Sequence, residues 1–183
     1  YADFYGANNS LAAFVGGIDK KQVTDFLQTS FGKWNSKSPY KAVEPKYFDV
    51  PATIESISTP DKTNAALAGN INIKISEKHP DYPAVFMANE LLGGGAFLSS
   101  RIPQRLRENE GMSYGAGTFM NSQYKYDVTN WGLYAAYNPV YKGRLDSALH
   151  QEIDKAIGGG FTEDELKNSV KSWLEQNKTS LGD

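Results

Sequence analysis

Two runs of three glycines, Gly93–Gly95 and Gly158–Gly160, constrain the fold of this 183-residue chain most strongly. Each run follows a stretch in which apolar side chains recur at helical spacing, and glycine costs a helix interior roughly 1 kcal/mol relative to alanine. We therefore predict two amphipathic helices that end at these glycines. The apolar positions are Val85, Ala88, Leu91 and Leu92 in the first helix and Leu145, Leu149, Ile153 and Ile157 in the second.

Strand patterns lie before the first of these helices and between the two. The segment 70–75 alternates strictly between polar and apolar residues, which is typical of a half-buried strand. Two further alternating stretches, 112–120 and 127–137, are separated by a polar turn and predict a hairpin. The residues predicted to share a face are Met112, Tyr114, Ala116, Thr118 and Met120 in the first stretch and Trp131, Leu133, Ala135 and Tyr137 in the second.

The remaining elements complete an α+β pattern. We predict a buried strand at 11–15, a helix that Asp19 caps, a proline-rich connector at 35–62, a helix that starts at Ser99 or Ser100, and a final helix behind the Thr162–Glu165 capping box. We therefore expect a mixed or largely antiparallel sheet that helices cover on one face.

Composition excludes several classes of function. The net charge of −2 and the interspersed charges give no basic face for a nucleic acid. No apolar run approaches the roughly 20 residues of a membrane helix. The absence of cysteine rules out disulfides and is compatible with a periplasmic or a cytosolic protein, of which we favour the periplasmic. Because the chain starts at Tyr1 without a signal-like segment, we expect residues 1–183 to be a single domain cut from a longer protein.

Metal and phosphate chemistry have little support. A catalytic zinc site needs about three protein ligands, whereas His79 and His150 lie in different predicted elements, and neither H-E-x-x-H nor H-x-x-E-H occurs. We interpret both histidines as helix-cap or surface residues and expect no metal site in this chain. The glycines at 93–95 follow a helix and lack the Lys-Ser/Thr of a phosphate loop, which favours a helix end. The free N–H groups at the next helix start could still hold a carboxylate.

The segment 106–114 combines a permanently charged guanidinium, Arg107, with a phenol seven positions later, Tyr114, around a predicted helix end at Gly111. Both side chains can donate hydrogen bonds to carbonyl or oxyanion oxygens. Taken alone, the pair is more typical of a structural role, with an arginine that interacts with a helix dipole and a tyrosine that packs in a strand.

The order of the surrounding motifs resembles the pitrilysin/insulinase family of zinc peptidases, which includes the mitochondrial processing peptidase. The matching segments are Leu91–Ile102 with its Gly-rich turn and Ser-Ser-Arg, Leu106–Glu108, Gly111–Gly115, Val15–Asp19 and Gly160–Leu166. The resemblance is to the second, non-zinc domain of a module, and the Gly115-Ala116-Gly117 continuation is most similar to the inactive second module of long bacterial members. Departures are Gly17 where Asp is usual, Met112 where Leu is usual, and a longer Gly-rich turn.

The resemblance implies a LuxS- and processing-peptidase-like two-layer fold and a role in peptide hydrolysis by the whole protein. Zinc is expected in another domain, of the same chain or of a partner subunit, and no cofactor in this one. The implied roles are an auxiliary oxyanion donor for Tyr114 and a grip on a substrate carbonyl for Arg107. Two alternatives stay open: a proteolytically inactive structural subunit of the same family, and the second domain of the catalytic module itself.

Overall fold

The computed structural model describes residues 3–95 and 100–182, so Ser99, one of the two predicted helix starts, lies outside the described residues. The chain divides into two compact units, the first ending at Glu44 and the second beginning at Pro45. Of the helices that the structure describes, none combines the length and hydropathy of a bilayer-spanning segment.

The smaller unit contains the helix α1, Lys20–Phe31. As predicted, Asp19 caps it, and its carboxylate accepts a hydrogen bond from the N–H of Gln22 at 3.0 Å. The predicted strand at 11–15 is wrong, because this segment is irregular. A strand is stable only where a neighbouring strand satisfies its N–H and C=O groups, and the described part of this unit contains no second strand.

The larger unit is a three-stranded antiparallel sheet with helices, which confirms the α+β prediction. The strands are β1, Ala65–Ile73; β2, Ser113–Asn121; and β3, Thr129–Tyr137, which lies at the centre. The helices are α2, Tyr82–Asn89, which continues as a π-helical turn Glu90–Gly94; α3, Arg101–Pro103, which continues as a π-helical segment Gln104–Asn109; α4, Lys142–Gly159; and α5, Glu163–Gly182. A short 3-10 turn, Pro139–Tyr141, precedes α4.

The core forms where the helices pack on one face of the sheet. Its helical members are Leu92, Ile102, Leu106, Leu145, Ala148 and Leu149, and its sheet-side members are Met112, Ala116, Ala135 and Tyr137. The hairpin is confirmed, and Trp131 and Leu133 pack against this core as predicted. Ile157, however, is 80% exposed. Each four-residue step turns the helix about 40° past a full turn, so Ile157 points about 120° away from Leu145.

The opposite face of the sheet carries no charged side chain at its paired positions. Pairing places Tyr134 opposite Ala68 and Gly117, and Gly132 opposite Asn70 and Phe119. The full outward set is Ala66, Ala68, Asn70, Asn72, Gly115, Gly117, Phe119, Asn121, Asn130, Gly132, Tyr134 and Ala136. Exposed protein surface normally holds about a quarter or more charged residues, so this face differs from an ordinary solvated surface.

The glycine run at 93–95 ends the α2 helix, as predicted, and the N–H of Gly95 donates to the carbonyl of Glu90 at 3.0 Å. Its first glycine is required for a close approach. A Cβ on Gly93 would lie 2.8 Å from the backbone nitrogen of Thr118 and 3.1 Å from the carbonyl carbon of Gly117. The helix backbone therefore packs directly against β2, and any side chain at this position would push the two apart.

The predicted helix start near residue 100 is confirmed at Ser100–Arg101, and Arg101 links it to the start of α5. Its Nε and Nη2 donate to the two carboxylate oxygens of Glu165 at 2.6 and 2.9 Å, and Nη2 also donates to the carbonyl of Gly160 at 2.9 Å. The predicted capping box is present, since Thr162 N–H donates to Glu165 at 2.7 Å and Glu165 N–H donates to the Thr162 hydroxyl at 3.2 Å. The bond from Arg101, followed by those from Thr162, lowers the pKa of Glu165 to about 2.

We predict that Gly93→Ala lowers the free energy of unfolding by about 1–3 kcal/mol, because backbone atoms of β2 cannot move aside as a flexible side chain can. Urea denaturation of the purified chain measures this change. The matched control is Gly158→Ala in α4, where an added Cβ meets no atom within 4 Å and alanine should be neutral or stabilising. Equal stability of the two variants would contradict the close approach.

We predict that the ion pair of Glu165 makes stability depend on pH. A carboxyl whose pKa is lower in the folded state stabilises the fold at pH values above its unfolded-state pKa, which is near 4.5 for Glu165. This contribution is lost as the pH falls towards 2. Glu165→Gln should therefore lower stability at pH 7 by on the order of 2 kcal/mol and flatten the decline between pH 4.5 and 2. Urea titrations across this range test it, with the exposed Glu163→Gln as control. A variant with the wild-type acid profile would show that this pair is not responsible.

Candidate functional site

Arg107 lies in the last turn of the π-helical segment that follows α3. Its side chain is about half exposed, and its Nε lies 3.5 Å from a carboxylate oxygen of Glu108. The predicted substrate-gripping guanidinium is therefore accessible from solvent.

The helix that carries Arg107 ends in a hydrogen-bonded turn. The N–H of Gly111 donates to the carbonyl of Arg107 at 3.1 Å, and the N–H of Met112 donates to the carbonyl of Leu106 at 2.8 Å. Gly111 has φ +59°, a left-handed conformation that glycine adopts without steric cost, as the predicted helix end requires. Leu106 and Met112 are both buried in the core, so the turn is held by its backbone and by its side chains.

Tyr114 lies just beyond this turn, at a bulge near the start of β2. Ser113 pairs with Tyr137 and Gly115 pairs with Ala136, so Tyr114 is the extra residue without a partner in β3. Its side chain is 69% exposed, whereas Ala116 is buried. The prediction that Tyr114 shares a face with Ala116 is therefore wrong, because the extra residue interrupts the period-two alternation.

A network of ion pairs surrounds the helix end. The Arg105 guanidinium bonds to Glu110, and its Nη1 donates to Glu152 of α4 at 2.9 Å. Arg144 Nη2 donates to the second oxygen of Glu110 at 3.3 Å. The bond from Arg105 holds the pKa of Glu110 below its usual range. A carboxylate at a helix C-terminus is unfavourable for the helix dipole, and these two arginines offset that cost while they tie the helix end to α4.

A second polar group, which the sequence did not reveal, fixes the end of α2 to the sheet. The side-chain oxygen of Asn89 accepts a hydrogen bond from Trp131 Nε1 at 3.1 Å, and its backbone carbonyl accepts one from the Thr118 hydroxyl at 3.2 Å. Burial raises the pKa of the neighbouring Glu90. The only sequence signal was the pair Asn89-Glu90 between the apolar residues of this helical stretch.

The two histidines lie apart, His79 in the turn before α2 and His150 on α4, and each bonds to residues near it in the chain. His79 Nδ1 accepts a hydrogen bond from the N–H of Asp81 at 3.2 Å, and His150 Nδ1 lies 2.9 Å from the carbonyl of Asp146. Within residues 3–95 and 100–182, no three residues of the metal-ligating types come close enough to hold an ion. The residues described thus do not fit zinc, and the proposed chemistry below gives this chain no metal of its own.

A cleft of about 860 Å³ in the larger unit lies between α3, α4 and the start of α5. Three cations and three anions line it: Arg101, Arg105, Lys155, Glu152, Asp154 and Glu165. These charges balance, and most are bonded to one another, so the cleft selects no charged ligand. Neither Arg107 nor Tyr114 lines it. We therefore place the candidate site at the exposed Arg107–Tyr114 turn and interpret the cleft as an ion-paired contact between helices.

Similar structures share this fold at low sequence identity. A protease from Helicobacter pylori superposes with a TM-score of 0.66 and 20% identity over 92% of this chain and 39% of that one. The periplasmic protease PqqL from Escherichia coli gives 0.60 and 14%, over 88% and 18%. A predicted insulinase-family protease from Yersinia pestis gives 0.61 and 14%, over 90% and 35%. No curated protein sequence matches the chain.

This chain spans less than two fifths of the length of each of these proteins. The family described as the peptidase M16 inactive domain matches residues 1–172, which is nearly all of the chain. The chain therefore belongs to the peptidase M16 inactive-domain family.

Proposed function

We propose that this chain is the non-zinc domain of a longer, pitrilysin-like zinc metallopeptidase, in which it closes a peptide chamber and supplies Arg107 and Tyr114 to the reacting peptide. The observation that carries the proposal is the turn at 107–114. It joins the two side chains through a hydrogen-bonded helix end and a bulge, and it exposes both of them to solvent.

The chemistry follows from the two side chains. The phenol hydroxyl of Tyr114 donates a hydrogen bond to the peptide carbonyl oxygen as that oxygen gains negative charge. The guanidinium of Arg107 donates to a neighbouring carbonyl of the same peptide and holds it in place. Zinc, bound by another domain, would supply the activated nucleophile, so hydrolysis requires the complete protein.

The uncharged sheet face supports a role as a chamber wall. Its alanines are small, the rings of Phe119 and Tyr134 lie against Gly132 and Gly117, and its asparagines offer both donors and acceptors to peptide groups. A neutral polypeptide would lose little hydration energy on such a surface, whereas a charged surface would select for charged substrates.

Of the two compartments left open by the composition we propose the periplasm, and the support is that PqqL is described as a periplasmic protease.

A structural role is the alternative, and the family description as an inactive domain favours it. In that case Arg107 and Tyr114 would belong to an inherited scaffold with no contact to substrate. The sequence that precedes this domain in the full-length protein distinguishes the two proposals, because an active member must carry an H-x-x-E-H helix in its catalytic module.

We predict that the isolated 183-residue chain binds no zinc tightly and cleaves no peptide. The described residues contain no ligand cluster, and the two histidines lie in separate elements, the turn before α2 and the helix α4. Calorimetric titration with zinc and a fluorogenic peptide assay test both statements. A stoichiometric zinc site with submicromolar affinity would contradict the proposal that the metal belongs to another domain.

We predict that Tyr114→Phe in the full-length protease lowers kcat by on the order of 10²-fold or more, because one donor to the oxyanion is lost. Folding should be unaffected, since the hydroxyl belongs to a largely exposed side chain. The matched control is Tyr124→Phe, which makes the same chemical change at a similarly exposed tyrosine in the β2–β3 turn and should leave kcat unchanged. Unchanged turnover of the Tyr114 variant would count decisively against the proposed role.

A further inference from the structure

The bulge that exposes Tyr114 is held by the side chain before it. Ser113 is 5% exposed and takes the inward position that regular alternation would give to Tyr114. Its Oγ lies 2.7 Å from the carbonyl oxygen of Ala136 on β3 and 3.2 Å from the backbone nitrogen of Gly115. It also lies 3.0 Å from the carbonyl of Gly115.

A serine hydroxyl has one proton to donate and two lone pairs to accept with. The short contact assigns the proton to Ala136, and the hydroxyl then accepts from the N–H of Gly115. These two bonds span the extra residue on both sides, since one crosses to the neighbouring strand and the other reaches past Tyr114. The hydroxyl thus replaces ladder hydrogen bonds that the bulge removes.

We propose that Ser113 is a positioning residue, which locks the bulge through its hydroxyl and so directs Tyr114 towards the peptide carbonyl. This inference rests on the proposed function of Tyr114. Without the hydroxyl, the N–H of Gly115 and the carbonyl of Ala136 lose a partner at a mostly buried position, and the strand can regain pairing by shifting Tyr114. A displacement of about 1 Å at a catalytic group can cost on the order of 10²-fold in rate.

The test is steady-state kinetics of the full-length protease. Ser113→Ala should lower kcat by on the order of 10-fold or more with little change in KM, because a misplaced oxyanion donor affects the transition state more than substrate binding. Ser113→Thr keeps the hydroxyl and should restore most of the loss. The control is Thr129→Val, which removes another buried hydroxyl, bonded to the carbonyl of Ile75 at 2.7 Å, and should cost stability without changing kcat.

A double-mutant cycle separates positioning from general destabilisation. If Ser113 acts through Tyr114, Ser113→Ala should reduce kcat in the wild-type background and have no further effect in Tyr114→Phe. The inference would be overturned if Ser113→Ala lowered kcat equally in both backgrounds. It would also be overturned if Ser113→Ala lowered kcat in neither background while Tyr114→Phe itself lowered it. Both results would leave the proposed function intact. If Tyr114→Phe itself turns over normally, the proposed function fails and the inference fails with it.

Discussion

The arrangement of the candidate site depends on one backbone hydrogen bond, from the N–H of Met112 to the carbonyl of Leu106. It closes the turn between the helix and β2, and the side chains at both of its ends lie in the core. An unmade bond at this depth would leave polar groups without water, which costs about 1–3 kcal/mol for each group. The helix end and the strand start therefore behave as one body, and Arg107 and Tyr114 extend from it on either side of Gly111.

Much of this architecture is local in origin, and so could be predicted from the sequence. The cap at Asp19, the capping box at Thr162, the helix end at Gly111 and the hairpin each depend on residues that lie within a few positions of one another. Their chemistry is readable without knowledge of the rest of the fold. Period-two counting failed at Ser113 and Tyr114, because it assumes one residue for each pairing position, whereas β2 holds one extra residue there opposite β3.

The features that could not be predicted bring together residues far apart in the chain. Arg101 meets Glu165 across 64 positions, and Trp131 meets Asn89 across 42, so no local pattern marks either pair. Gly93 is a further example, since glycine is needed there only because the backbone of β2, which begins twenty residues later, lies so close. The apolar segment at 11–15 shows the opposite failure, in which a good local pattern has no strand beside it to complete the hydrogen bonds.

The bulge has a consequence for how this segment can change in length. A single extra residue in a regular strand exchanges the buried and exposed faces from that point onward. In β2 one extra residue is already present, and regular pairing with β3 resumes at Gly115, so from Ala116 onward inward and outward side chains alternate as in a regular strand. Removal of one residue here would restore a regular ladder and draw the tyrosine into the sheet, while addition of another would leave two residues unpaired. The number of residues between the guanidinium and the phenol is thus more strongly constrained than the identity of most residues between them. Substitutions should therefore accumulate in this turn far more readily than insertions or deletions.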